Sequence, residues 1–340
     1  MLKRSRVLAF WCFDPGLGFS KLRELNPRSI ILTSGTLSPM DSTASELKNP
    51  FPIRIECPHV VDKQQVLVQV LQKGPDNCVF NFNYQNRRNK DQMNDLGAAI
   101  GNCSRMVEGG ILVFFSSYEV LNSFFNHWEE NGTIDRLREN KDVFRESKNA
   151  RTAKKVMKAY YDAIRLNRGA VLFAVCRGKI SEGLNFEDSL GRMVIVVGVP
   201  YPSLVSHRTN LKKNYLDRQF GFRADTSEGF RKINGREWYQ QQAIRAVNQA
   251  IGRVIRHAQD YGTILLVDER YSYSNNKSQL STWLREKLLV PSDFRGTFKN
   301  IVGFFKEKRG SELERIGKQK MWERERQGQK HLMVDYEEED

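Results

Sequence analysis

Five continuous apolar runs punctuate the chain: Val66 to Val70, Ile111 to Phe115, Ala170 to Val175, Val194 to Val197 and Thr263 to Val267. Runs of this length without polar alternation have the pattern of strands buried on both faces. Between them, apolar side chains recur every third or fourth position over 91–107, 118–130, 151–166 and 236–257, which predicts amphipathic helices. Strand and helix in alternation predict an α/β fold with a doubly wound, mainly parallel sheet. A further short strand is expected at Ile30 to Thr33, and Pro50, Pro52 and Pro58 predict an extended linker over 46–64. Beyond Pro291, the amphipathic stretch Phe298 to Phe305 is expected to pack back on the domain. The highly charged residues 308–340 are expected to be a solvated helix or disordered.

In such a sheet, chemistry is looked for in the loops beyond the strands. Ser116 and Ser117 follow one strand directly; either can cap the next helix, or offer its first amides to a phosphate. After the next apolar run comes Cys176-Arg-Gly-Lys-Ile-Ser-Glu-Gly-Leu-Asn-Phe186, a density of polar groups and glycines that is costly to order without something to contact. On a helix over 236–257, Ile244, Val247, Ile251, Val254 and Ile255 fall on one side while Gln249, Arg253 and Arg256 gather on the other. Two guanidiniums in that arrangement either grip a polyanion, with Gly252 permitting close approach, or form an ordinary solvated face. The segment between Pro200 and Gly235 mixes cations with Phe220, Phe222 and Phe230, which suits stacking on a single strand and suits a loop over a small core equally.

Composition narrows the class. With 340 residues and 40% hydrophobic content the chain can bury a sizeable core, in one large or two modest domains. A formal charge of +14, spread along the chain, favours a polyanionic partner. The five cysteines, Cys12, Cys57, Cys78, Cys103 and Cys176, show no C-x-x-C spacing, so reduced thiols are expected and no metal site is predicted. No apolar run approaches the roughly 18 residues of a membrane span, and no membrane partner is expected.

Four blocks, in order, are far more specific than any one. Ser34-Gly-Thr-Leu-Ser-Pro39, Gly110 to Tyr118, Cys176 to Phe186 and Gln249-Ala-Ile-Gly-Arg-Val-Ile-Arg256 together resemble the later motifs of the XPD-type iron–sulfur DNA helicases of superfamily two. The resemblance covers roughly residues 7–307. It implies a RecA-like second motor domain over 65–307 and a remnant of the first over 1–45, expected to pack poorly on its own. The implied activity is ATP-driven 5′-to-3′ movement along single-stranded DNA in genome maintenance, with ATP and Mg²⁺ as cofactors and a nuclear location. Carried over by position, Arg253, Arg256 and Gln249 face the ATP phosphates, with Gly252, Glu182, Gly183 and Asn185 at the nucleotide. Ser116, Ser117, Arg177, Lys179 and Ser181 contact DNA, Gly178 shapes the same loop, and Ser34, Gly35 and Thr36 couple the two sites.

Two departures qualify the resemblance. Asn185 stands where most relatives carry Asp, a change that preserves a hydrogen-bond acceptor but removes a charge. The chain also contains no G-x-x-x-x-G-K-[ST] phosphate loop and no Asp-Glu-x-His block. The expectation is therefore a C-terminal motor half that does not hydrolyse ATP alone. It pairs with an N-terminal half in cis or in trans, and the 4Fe–4S cluster belongs to that other half. The rival reading is a non-catalytic DNA-binding or regulatory protein derived from a helicase.

Overall fold

The computed structural model describes residues 8–35, 37–57, 61–180, 185–220 and 230–310. Seven strands form one sheet: β1 (Val66–Leu71), β2 (Gly110–Phe115), β3 (Asp142–Arg145), β4 (Ala170–Val175), β5 (Met193–Val197), β6 (Gly262–Val267) and β7 (Leu288–Leu289). Their spatial order is β3-β4-β2-β5-β6-β1-β7, and every pairing is parallel. All residues of β2, β4, β5 and β6 are buried, as their unbroken apolar runs require. The edges are short: β3 is half-buried and ends in Arg145, and β7 has two residues, which limits pairing with other chains.

Helices cover both faces. On one lie α3 (Lys90–Met106), α4 (Tyr118–Glu130) and α5 (Thr133–Arg138), joined by a helix over 294–310 whose Ile301 and Phe305 enter the core as the amphipathic pattern requires. On the other lie α6 (Ala150–Arg165) and α8 (Gly235–Ile251). The sequence supplies the starts of these helices. The side chains of Asn89, Ser117, Asn149 and Asn234 each accept from backbone amides of the first turn, and Glu237 completes a capping box at α8.

Three expectations change. The helix predicted to reach residue 257 ends at Ile251, and Gly252 to Val254 form a turn. Two groups enforce the stop: Asp260 Oδ2 takes the Arg256 amide at 3.0 Å, and Ile255 adopts a left-handed φ of 67°. Val254 and Ile255 are still buried, but they enter the core from the turn rather than from a helical face. Ile30 to Thr33 forms no strand, and Ile31 is 81% exposed.

The expected boundary at residue 45 falls inside α2 (Met40–Leu47), which packs on α8 instead of hanging free. Arg245 donates to Ser42 Oγ and Thr43 Oγ1 at 2.5 and 2.8 Å, Trp238 Nε1 to Glu46 at 2.8 Å, and Asn248 Nδ2 to the Ser38 carbonyl at 3.2 Å. Poor packing in isolation therefore does not describe residues 40–47, whose Ser42, Ala44 and Ser45 are buried. In the basic segment, His207–Phe220 is helical and Phe230 is buried at 4% exposure, so Phe230 is core rather than a stacking surface; Phe222 and the tail 311–340 lie outside the described residues.

Candidate functional site

The chain turns in opposite directions after β2 and after β5, which are neighbours, so the carboxyl ends of those strands form the switch point of the sheet. Ser116 and Ser117 stand there, half-buried, and Ser117 Oγ caps α4 by accepting from the Val120 amide at 3.3 Å. The 176–180 loop leaves the adjacent β4, whose Val175 is in register with Phe115. It is held by a group that the sequence pattern did not single out. Buried Glu146, just past β3, accepts from the amides of Val175 and Ile180 at 2.8 and 3.0 Å and from Tyr118 Oη at 2.8 Å. A Cβ at Gly178 would lie 2.4 Å from Glu146 Oε1, which explains the glycine. Burial pushes the Cys176 thiol up to about 12, so this residue packs as a small apolar group rather than acting as a thiolate.

The same carboxylate carries a direct prediction. Glu146→Gln presents an amide NH₂ where backbone donors need an acceptor, and it is expected to cost about 1–3 kcal/mol. Urea denaturation measures the loss, and amide exchange at Ile180 should quicken in parallel. An unchanged midpoint with unchanged protection at Ile180 would show that the loop is held by other contacts.

Within the loop, Arg177 and Lys179 differ. Both are exposed, but Arg177 donates to the carbonyls of Pro200 and Gln242 at 2.9 and 2.7 Å and so ties the loop to α8. Ser181, Glu182 and Gly183 lie outside the described residues. At Asn185, Tyr161 of α6 donates to the backbone carbonyl at 3.5 Å, and Phe186 is buried in the same core cluster as Ile180. Beside it runs a furrow of about 530 Å³ along α6, lined by Ala153, Met157, Tyr161 and Ile180 together with Lys154 and Lys179.

Asn185 and the arginine turn meet at the amino ends of β5 and β6. Arg256 Nε donates to Asn185 Oδ1 at 2.7 Å, and its Nη1 to the Gly252 carbonyl at 2.9 Å. Asn185 Nδ2 in turn donates to Glu187 at 2.7 Å. Two contacts thus set the guanidinium plane of an exposed arginine while its other N–H groups remain for an anion. The acceptor at residue 185 serves without a negative charge.

Beneath this fork, Asp260 Oδ1 accepts from Arg192 Nη1 at 2.7 Å and from the Tyr261 amide at 2.9 Å, and Arg192 stacks 3.8 Å from the centre of the Tyr261 ring. Ile255, at positive φ, sits next to Arg256; a β-branched residue in that region stores about 1–3 kcal/mol, which the surrounding contacts hold in place. Arg253 is half-buried, and Gln249 is exposed on the last turn of α8. Gly252 has a φ of −64°, so at this position it contributes its lack of a side chain rather than a special backbone conformation.

Asp188, His257 and Asp260 bring ligand atoms within 4.8 Å of one another, yet both oxygens of Asp260 already accept from Arg192 and backbone amides, which argues against a cation there. Ser34 and Gly35 are exposed, and Thr36 lies outside the described residues. Through Ser38 and Asn248 their block adjoins the arginine block at the end of α8.

The candidate groups therefore divide between the two ends of the sheet, about 20 Å apart along strands of this length. Serine and lysine groups lie at the carboxyl ends and an oriented arginine at the amino ends, joined by the crossover at 176–187. The all-parallel seven-stranded sheet, with helices on both faces, has the architecture of a RecA-like motor domain of the second type. Residues 100–287 match the helicase C-terminal domain, and the chain belongs to that family.

The chain is similar to regulator of telomere elongation helicase 1 of Rattus norvegicus, with 42% identity over 306 residues, covering 89% of this chain and 24% of that protein. The Homo sapiens protein is 40% identical over 306 residues, with 89% and 25% covered, and a Drosophila mojavensis homolog is 43% identical over 307 residues, with 89% and 30% covered. The chain thus spans about a quarter of the length of the first of these relatives. Among solved structures, an XPD helicase aligns with a TM-score of 0.56 at 19% identity over 82% of this chain and 45% of that one. An apo XPD structure aligns with a TM-score of 0.54 at 19% identity over 82% and 52%. Both share the fold.

Proposed function

We propose that the chain is the C-terminal motor half of an ATP-dependent, 5′-to-3′ DNA helicase of genome maintenance. The observation that carries the reading is the fork of Arg256, oriented by Asn185 and Gly252 just beyond α8, whose Asn248 donates to the Ser38 carbonyl. An always-charged planar group held in this way is suited to the phosphates of a nucleotide presented by an N-terminal motor half, in cis or in trans. Arg256, Arg253 and Gln249 would hold the triphosphate, and ATP with Mg²⁺ supplies the phosphoryl-transfer chemistry. The metal would be held by the other half, which would also carry the 4Fe–4S cluster.

At the opposite end, Ser116, Ser117 and Lys179 form part of a single-strand track, supported by the net charge of +14. Ser181, Glu182 and Gly183 would complete the loop between the two ends, and Ser34, Gly35 and Thr36 would report the state of the nucleotide to the track. Nuclear location follows from this role.

The test joins the full chain to an N-terminal motor half that contains a phosphate loop. Alone, the chain is expected to bind single-stranded DNA without hydrolysing ATP. Joined, it is expected to hydrolyse ATP in a DNA-stimulated manner and to open duplexes with a 5′ tail in preference to a 3′ tail. A joined motor that binds DNA and folds but never hydrolyses ATP would instead support the non-catalytic rival.

A further inference from the structure

Residues 80–90 follow β1 at the carboxyl end of the sheet and carry an aromatic and cationic cluster outside the four motif blocks. The base of this loop is firmly anchored. Phe80 is fully buried; Phe82 stacks on it at 5.5 Å and meets Phe124 of α4 edge-on at 5.7 Å. The Phe82 amide donates to Asp268 at 2.9 Å, Asn81 Nδ2 donates to Glu269 at 2.7 Å, and Asn83 Oδ1 accepts from the Asn86 amide at 2.9 Å.

On this rigid base Tyr84 projects with 73% of its surface exposed, which is unusual for a large ring that nothing forces outward. One side of the ring is backed by Arg87, whose guanidinium carbon lies 3.7 Å from the ring centre and whose Nη1 donates to the Tyr84 carbonyl at 3.0 Å. The exposure leaves the ring open for a further flat group.

The position of the loop supplies the second observation. Glu119, in the first turn of the helix that Ser117 caps, is bonded to Arg88 at 2.9 Å and faces Arg87 at 3.6 Å. The Tyr84–Arg87 stack thus sits beside Ser116 and Ser117, and the one acid in this contact is already paired with arginine. A polarised ring on a cationic backing, next to groups suited to phosphates, has the chemistry of a step for an unpaired base.

We propose that Tyr84, backed by Arg87, is a nucleobase-stacking residue on the single-strand track. The inference rests on the helicase reading above and adds a contact to the base rather than the backbone. It is tested with the full chain and fluorescein-labelled oligothymidylate, compared with a strand of the same length made of abasic sites. Tyr84→Ala is expected to weaken oligothymidylate binding about tenfold and to leave abasic-strand binding within twofold, while Tyr84→Trp retains affinity. The introduced indole should also lose fluorescence on adding oligothymidylate and not on adding the abasic strand. Equal affinity of Tyr84→Ala and wild type for oligothymidylate would overturn the stacking role while leaving the helicase reading intact. Failure of the full chain to bind single-stranded DNA at all would remove both.

Discussion

Arg256→Ala in the joined motor is expected to slow ATP hydrolysis about a thousandfold, with Arg253→Ala of similar size. A transferring phosphoryl group spreads negative charge over its oxygens, and an oriented guanidinium stabilises that charge without having to reorganise. Arg256 meets the condition because Asn185 and the Gly252 carbonyl set its plane before any nucleotide arrives. The loss should therefore fall on kcat more than on KM, and single-stranded DNA binding by the chain should stay within twofold. Arg256→Lys should recover little, because one ammonium cannot hold Asn185, Gly252 and a phosphate together. A loss confined to KM would assign these arginines to nucleotide binding alone.

Asp260→Ala is expected to destabilise the fold by about 3–5 kcal/mol, the usual result of removing one member of a buried ion pair. Asp260 is 1% exposed, and its side chain joins Arg192, the Arg256 amide and the Tyr261 amide. Truncation leaves the Arg192 guanidinium and two amides without their acceptor in a dry setting. Removing both charges together, as Asp260→Leu with Arg192→Met, is expected to recover at least half of the loss, since the uncompensated charge then disappears. Denaturant unfolding of the three variants measures this directly. A change below about 1 kcal/mol for Asp260→Ala would mean that water reaches Arg192 and that the turn does not depend on the pair.

The two predictions concern a single structural unit. Asp260 holds the backbone of the turn that aims Arg256, so Asp260→Ala should also lower hydrolysis in the joined motor at temperatures where the variant remains folded. The separation matters for variants in this region, because a change at Asp260 reaches the Arg256 guanidinium, and with it the proposed nucleotide site, through the backbone of the turn.

Much of the sheet was legible from the chain. Five unbroken apolar runs can be buried only from both sides, which in a chain with intervening amphipathic helices means a parallel sheet. The edge strands were not legible. Asp142–Arg145 is short and half-polar and Leu288–Leu289 has only two residues, and only pairing to β4 and β1 makes them strands. The motif blocks were legible because their residue types and order are specific, even where spacing alone favoured a plain N-cap over a phosphate contact at Ser116 and Ser117.

What the chain by itself determined is the set of buried segments, the helix starts and the identity of the charged groups, since these depend on side-chain chemistry and local hydrogen bonds. Where those groups stand depended on contacts distant in sequence. The helical periodicity that placed Arg253 and Arg256 on one face failed because Asp260, not the next turn of helix, takes the Arg256 amide, and because Arg192, just before β5, holds Asp260. Glu146 gave no local signal, as its two amide partners and its tyrosine lie 28 to 34 residues away. Ser42 and Thr43 read as the end of another domain and Glu46 as the start of a linker, yet Arg245 and Trp238 bind them across about 190 to 200 residues of chain. Local pattern decides which surfaces must be hidden; only the packed fold decides which hydrogen-bond acceptor each buried amide and guanidinium finds, because unsatisfied polar groups are costly wherever the chain brings them.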